Sequence, residues 1–130
     1  MPARSSNSCV RRWPSREEVV EALLRWLSAE GRRHPELLRL GYFGSYARGD
    51  WGVGSDLDLV AVITETEVPF ERRSLAWRVE ELQVPTELLV YTSAEWDRME
   101  KEGGRFSATL RQETVWVWPP ASPRSSAGSD

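Results

Sequence analysis

Cysteine is almost missing from this chain of 130 residues, where Cys9 stands alone. No intrachain disulfide can form, and a reducing cytoplasm is the simplest setting. Cys9 has no histidine near it in sequence and is not a credible nucleophile. Histidine is as scarce: His34 is the single one. His-based catalysis and His/Cys zinc sites are disfavoured, and His34, next to Pro35, is expected in a loop. No stretch approaches the ~20 apolar residues of a membrane helix. Positive charge is not in excess either. Seventeen Lys and Arg face twenty Asp and Glu, a net charge of −3. That argues against a broad nucleic-acid-binding face, yet leaves room for one nucleotide held through magnesium. Asn occurs once (Asn7) and Lys once (Lys101), so the basic residues are otherwise all Arg. Heat adaptation and GC-rich codon usage explain that bias equally well. No Lys-Ser or Lys-Thr follows a glycine, so there is no Walker loop.

The length suits one domain with a core that needs no staples. Residues 1–13 and 119–130 are polar and rich in Pro and Ser, and read as a disordered leader and tail around a domain at 14–118. The leader has no apolar stretch and does not read as a secretory signal. Ser15 and Glu18 form a capping-box pattern that opens a helix, with Val19, Val20, Leu23, Leu24 and Leu27 as its apolar stripe and Gly31 suited to its C-cap. Residues 37–43 read as a strand. Leu57 to Ile63 is a nearly continuous apolar run, expected to be a strand covered on both faces. Pro69 opens a second predicted helix over 69–83, with Leu75, Val79 and Leu82 at helical spacing. Thr86 to Tyr91 reads as a third strand. Ser93 is expected to cap a short helix with Glu95 and Glu100 exposed. A helix over about 105–112 and a last strand at 114–118 follow. The fold class is therefore α/β, or α+β in two layers, with helices packed on a small mixed sheet.

The segment from Gly44 to Leu59 carries the chemistry. Gly44-Ser45 is followed, after the ten residues Tyr46 to Ser55, by Asp56-Leu57-Asp58 at the head of the apolar strand. Side chains two apart on a strand share a face, so Asp56 and Asp58 point together. Two like charges 4 Å apart repel by about 4 kcal/mol at an effective dielectric of 20. Such a pair needs a cation, an Arg partner or a raised pKa. Two carboxylates at this spacing can bind one divalent ion and begin to bridge a second, and magnesium suits a few carboxylates plus substrate phosphates. Gly44 lets a backbone approach a phosphate closely, the Ser45 hydroxyl can donate to it, and Ala47 and Arg48 would open a short helix facing it. Arg48 would add a phosphate contact or pair with Asp50 at the surface. Glu87 is the lone charge in an otherwise apolar strand. It is either a third acid of the site or a strand residue paired with an Arg. Tyr46 and Trp51 would stack on a base or pack the loop, the commoner fate. A calcium loop at Asp50 to Asp58 fails, because the order of acids does not match and no Glu stands at the twelfth position. Trp116 and Trp118 share one face of the last strand, closing the core or offering a patch for a partner or a homodimer.

The Gly44-Ser45 and Asp56-x-Asp58 pattern resembles the signature of the DNA polymerase beta-type nucleotidyltransferases, in their small "minimal nucleotidyltransferase" (MNT) branch. The resemblance covers about residues 36–92. It implies the nucleotidyltransferase fold and transfer of a nucleoside monophosphate, AMP from ATP or the equivalent from another NTP, to a hydroxyl. It implies two Mg2+ ions on Asp56, Asp58 and Glu87, with Glu87 as ligand or base, and a triphosphate on Gly44, Ser45 and Arg48. The family commonly has Asp where this chain has Glu87, one methylene longer. Small family members often act as antitoxins that adenylylate a HEPN-type partner on tyrosine. Two other readings stand beside transfer: a binding module with weak or absent catalysis, and a nucleotide sensor.

Overall fold

The computed structural model describes residues 13–119 apart from 51 and 53. The predicted leader and tail therefore lie almost wholly outside the described residues, as do Cys9 and Trp51. Trp13, the last residue of that leader, packs on the core and donates its indole N–H to the Tyr46 hydroxyl at 3.3 Å.

The first helix, α1 (Arg16–Arg33), begins where its capping box dictates: Ser15 accepts from the Glu18 N–H while Glu18 accepts from the Ser15 N–H. Its end differs from expectation. Gly31 lies inside the helix and His34 is the C-cap. A Cβ on Gly31 would meet the Trp118 ring at 2.8 Å, so packing, not capping, requires glycine there. Strand β1 (Leu37–Phe43) leads through Gly44 into a single turn, α2 (Ser45–Arg48). Strand β2 (Leu57–Ile63) is buried along nearly its whole length. Strand β3 (Thr86–Thr92), helix α4 (Ser93–Glu102), helix α5 (Arg105–Glu113) and strand β4 (Val115–Trp118) complete the chain.

The strands form a mixed sheet in the order β3-β2-β1-β4. β1 runs antiparallel to β2 and β4, and β2 runs parallel to β3. One face packs Leu57, Leu59, Ala61 and Ile63 against Leu23 and Leu27 of α1, with Trp77 and Leu82 from the β2–β3 crossover. The other packs Val60 and Val62 against Trp96 of α4 and Leu110 of α5. This explains the nearly continuous apolar run of β2, which is covered on both faces beyond Asp58.

The helix predicted over 69–83 is broken. One α turn, α3 (Phe70–Arg73), is followed by 3-10 turns at Ser74–Ala76 and Val79–Glu81. Between them Trp77 is extended and buried, stacked 3.6 Å from the His34 ring. Burying that indole overrides the helical spacing and leaves Leu75 77% exposed. His34 lies in the connection between α1 and β1, as expected, and is buried there, with Glu30 and Glu36 each 3.2 Å from a ring nitrogen. The cap of α4 is Thr92, one residue earlier than Ser93, in a second capping box with Glu95. Glu95 is not simply exposed, because both its oxygens accept from Arg73, at 2.7 and 3.0 Å. Trp116 and Trp118 lie on opposite faces. Leu40 pairs with Trp118 and Gly41 with Trp116, so a bulge at Val117 inverts the alternation.

Candidate functional site

Asp58 is the second residue of β2, opposite Phe43 on β1 and Glu87 on β3. Cross-strand partners point to one face. Asp58 and Glu87 therefore share the face of Val60 and Val62, where the core under α4 and α5 runs out. Asp56 precedes the strand and is exposed, Glu87 is exposed, and Asp58 is half-buried.

The crowding is visible in the acidity of Asp58. Burial pushes its carboxyl above the usual aspartate range, and the charges of Glu87 and Asp56 push the same way. The Arg48 guanidinium opposes them, and Glu113 adds a further upward push. Glu87 forms no ion pair with an Arg among the described residues.

Gly44 brackets Asp58 from the β1 side. Its φ is +77°, a conformation that favours glycine, and a Cβ there would collide with Asp58 Oδ2. The carbonyls of Gly44 and Ser45 take the turn's amides: Arg48 N–H donates to Gly44 at 2.9 Å and Gly49 N–H to Ser45 at 2.9 Å. The Ser45 side chain is half-buried and its hydroxyl bonds no described residue. Tyr46, by contrast, is wholly buried and belongs to the core. Helix α1 anchors this turn, since Arg16 donates to the Tyr46 carbonyl at 2.9 Å and the Tyr42 hydroxyl at 2.8 Å.

Arg48 donates to Asp50 at 3.1 Å and to Glu113 at 3.3 Å, and these carboxylates raise its pKa. The pairing with Asp50 is the surface alternative foreseen for Arg48. Glu113 was not foreseen. It is the last residue of α5, and its other oxygen accepts the Gly44 N–H at 3.0 Å. The helix predicted over about 105–112 stops short of Glu113, so the sequence does not mark it as the acid at a helix C-terminus, where it opposes the helix dipole.

Among the described residues no three acidic or histidine side chains form a ready-made metal cage. The donor set nonetheless fits a hard divalent cation. Asp56, Asp58 and Glu87 offer oxygen alone, and burial and acidic neighbours disfavour the charged form of Asp58 unless a cation meets it. Magnesium takes one or two carboxylates and completes its shell with water and substrate phosphates, so no closed cage is needed.

Paired carboxylates thus lie at the mouth of a central strand beside a glycine turn. The model of the nucleotidyltransferase domain family matches residues 24–116, more than half of the chain, and the chain belongs to that family. No protein of curated function matches the sequence. Among solved structures, one assigned as a nucleotidyltransferase from Sulfolobus solfataricus is 20% identical, with a TM-score of 0.58, over 79% of this chain and 82% of that one. A mutant toxin–antitoxin pair, MntA-HpeT, is similar at 17% identity and a TM-score of 0.51, over 82% of this chain and 77% of that one. A toxin–antitoxin structure with AMP-PNP has 16% identity and a TM-score of 0.50 over the same shares. At these identities the likeness establishes the nucleotidyltransferase fold.

Proposed function

We propose that this protein transfers a nucleoside monophosphate, AMP from ATP, to a hydroxyl on a protein partner and releases pyrophosphate. The observation that carries this reading is Asp58, half-buried between Gly44 and Glu87 with its carboxyl pushed up by burial and then by its acidic neighbours. A charge kept in such surroundings has a cation to meet. Asp56, Asp58 and Glu87 would hold magnesium, two ions in all, and the metal would neutralise charge on the α-phosphate and the leaving pyrophosphate. The chain's own residues set the geometry. The Gly44 amide and Arg48 take the triphosphate oxygens, and the Ser45 hydroxyl donates a further bond. Glu87, on the exposed side of the site, accepts the proton of the acceptor hydroxyl as its oxygen bonds to the α-phosphorus. The bond from the α-phosphorus to the bridging oxygen then breaks and its electrons leave with pyrophosphate.

The partner is proposed to be a HEPN-type toxin and the acceptor a tyrosine, in the cytoplasm. The fold likeness to toxin–antitoxin structures, one of them with AMP-PNP, supports this choice. Among the described residues no helix is long and apolar enough to cross a membrane.

The test is to incubate the chain with magnesium, ATP and the product of the neighbouring gene, and to weigh both proteins. The partner should gain one AMP, and Asp58→Asn should lower the rate on the order of 10²–10³-fold. A complex that forms with no mass change, and survives Asp56→Asn and Asp58→Asn alike, would replace the transferase with a binding module.

A further inference from the structure

The Gly44–Arg48 turn already holds an anion, and that anion belongs to the chain. Glu113 spans the turn with both oxygens, taking the Gly44 N–H at 3.0 Å and Arg48 Nη1 at 3.3 Å. A backbone amide and a guanidinium a few ångströms apart are what two oxygens of one phosphate would engage. We propose that Glu113 is an internal stand-in for a nucleotide phosphate: it occupies the donors of the turn, and a triphosphate binds by displacing it. The proposal rests on the nucleotide-binding reading of this site and adds a determinant of affinity to it.

Three observations favour displacement over a plain structural tie. The first is the position of Glu113. As the last residue of α5 it puts a negative charge at the helix end that already carries negative partial charge. A neutral Gln or Ser could accept from Gly44 without that penalty.

The second is the charge balance. Asp56, Asp58, Glu87 and Glu113 crowd one end of the sheet, and Arg48 is the cation that acts on Asp58 against them. Arg48 is itself shared between Glu113 and Asp50. Glu113 thus withholds from any incoming phosphate both an amide donor and much of the local positive charge. It also repels that phosphate directly.

The third is the weakness of the hold. Glu113 and Arg48 meet where Arg48 is about half exposed, and ion pairs at such exposed positions hold only weakly. Arg48 is a long side chain on a single-turn helix, and its other carboxylate partner, Asp50, is itself an exposed residue two positions away. A polyphosphate carrying magnesium brings more charge and more acceptor oxygens to the same donors. Gly44 itself does not move in this exchange. Asp58 fills the space beside its Cα and the α2 amides close on its carbonyl, so its N–H stays aimed at whichever anion is present.

The discriminating variant is Glu113→Gln, which keeps an oxygen for the Gly44 amide and loses the charge. Calorimetric titration of the full chain with AMP-PNP and magnesium should show roughly tenfold tighter binding for Glu113→Gln than for wild type. Glu113→Ala, which empties the turn, should tighten binding at least as much. Thermal unfolding of each variant shows that the protein titrated is folded. Unchanged or weaker binding in folded Glu113→Gln overturns the proposal and leaves Glu113 as a tie between α5 and the turn. In that case, binding by wild type that is lost in Asp58→Asn would keep the nucleotide reading intact. Binding by neither wild type nor Glu113→Gln would overturn both.

Discussion

Two carboxylates, Glu30 on α1 and Asp58 on β2, have opposite surroundings. Glu30, near the end of α1, is only 2% exposed. It accepts the Arg78 N–H at 3.1 Å, lies 3.2 Å from His34 Nε2, and has Arg33 at 3.8 Å. Asp58 is more open to water, yet Glu87, Asp56 and Glu113 act on it as repelling charges with Arg48 alone opposing. The deeper acid is therefore the contented one. Glu30 serves the fold: it ties α1 to the crossover at Arg78, beside the stacked pair of His34 and Trp77. A cleft of about 770 Å³ next to that pair, lined by Pro69, Arg72 and Trp77, belongs to this structural region. Asp58 is left short of partners where a cation and a phosphate would supply them. Burial alone does not separate these two acids by role; the company of each carboxylate does.

The comparison breaks first if Glu30 is dispensable. Glu30→Ala strips a partner from the Arg78 amide and from His34 and leaves a cavity, and should cost about 2–3 kcal/mol in chemical denaturation. Nucleotide affinity per folded molecule should not change. A loss of affinity without loss of stability would move Glu30 into the functional site.

A smaller effect concerns a third acid, Glu95, which shows what a well-paired carboxylate does with pH. The Arg73 guanidinium, chiefly, holds its pKa down to about 2, from the ordinary 4.5. A depressed carboxyl stabilises the fold above its unfolded pKa and loses that contribution as pH falls through the folded value. Stability should therefore decline between about pH 4.5 and about 2. With Glu95 a third exposed, the loss is about 1 kcal/mol after screening. Glu95→Gln should flatten that acid limb in pH-dependent thermal melts; an unchanged limb would assign it to other acids.

These contrasts also mark how far the sequence could be read. Local devices were legible. Ser15 and Glu18 announce α1, the β2 run announces a strand covered on both faces, and the spacing from Gly44 to Asp58 brings them side by side. Glu87 was legible as the odd charge in an apolar strand, and the parallel register sets it opposite Asp58. Features decided by distant contacts were not. The helix over 69–83 gave way because Trp77 gains more by burial against His34 than the segment gains from helical propensity. The face of Trp118 depends on a bulge that alternation cannot foretell. Glu113 is 69 residues from Gly44 and meets it only through the fold.

The most direct test is the thermal stability of Asp58→Asn against wild type, with and without magnesium and AMP-PNP. A carboxyl whose pKa is raised in the fold costs stability once ionised, above that pKa. At neutral pH without ligand, Asp58→Asn should therefore melt higher than wild type. With ligand, wild type should gain stability and Asp58→Asn should gain little or none. An unliganded Asp58→Asn that melts lower than wild type would contradict the account, because Asp58 would then be a satisfied structural acid like Glu30.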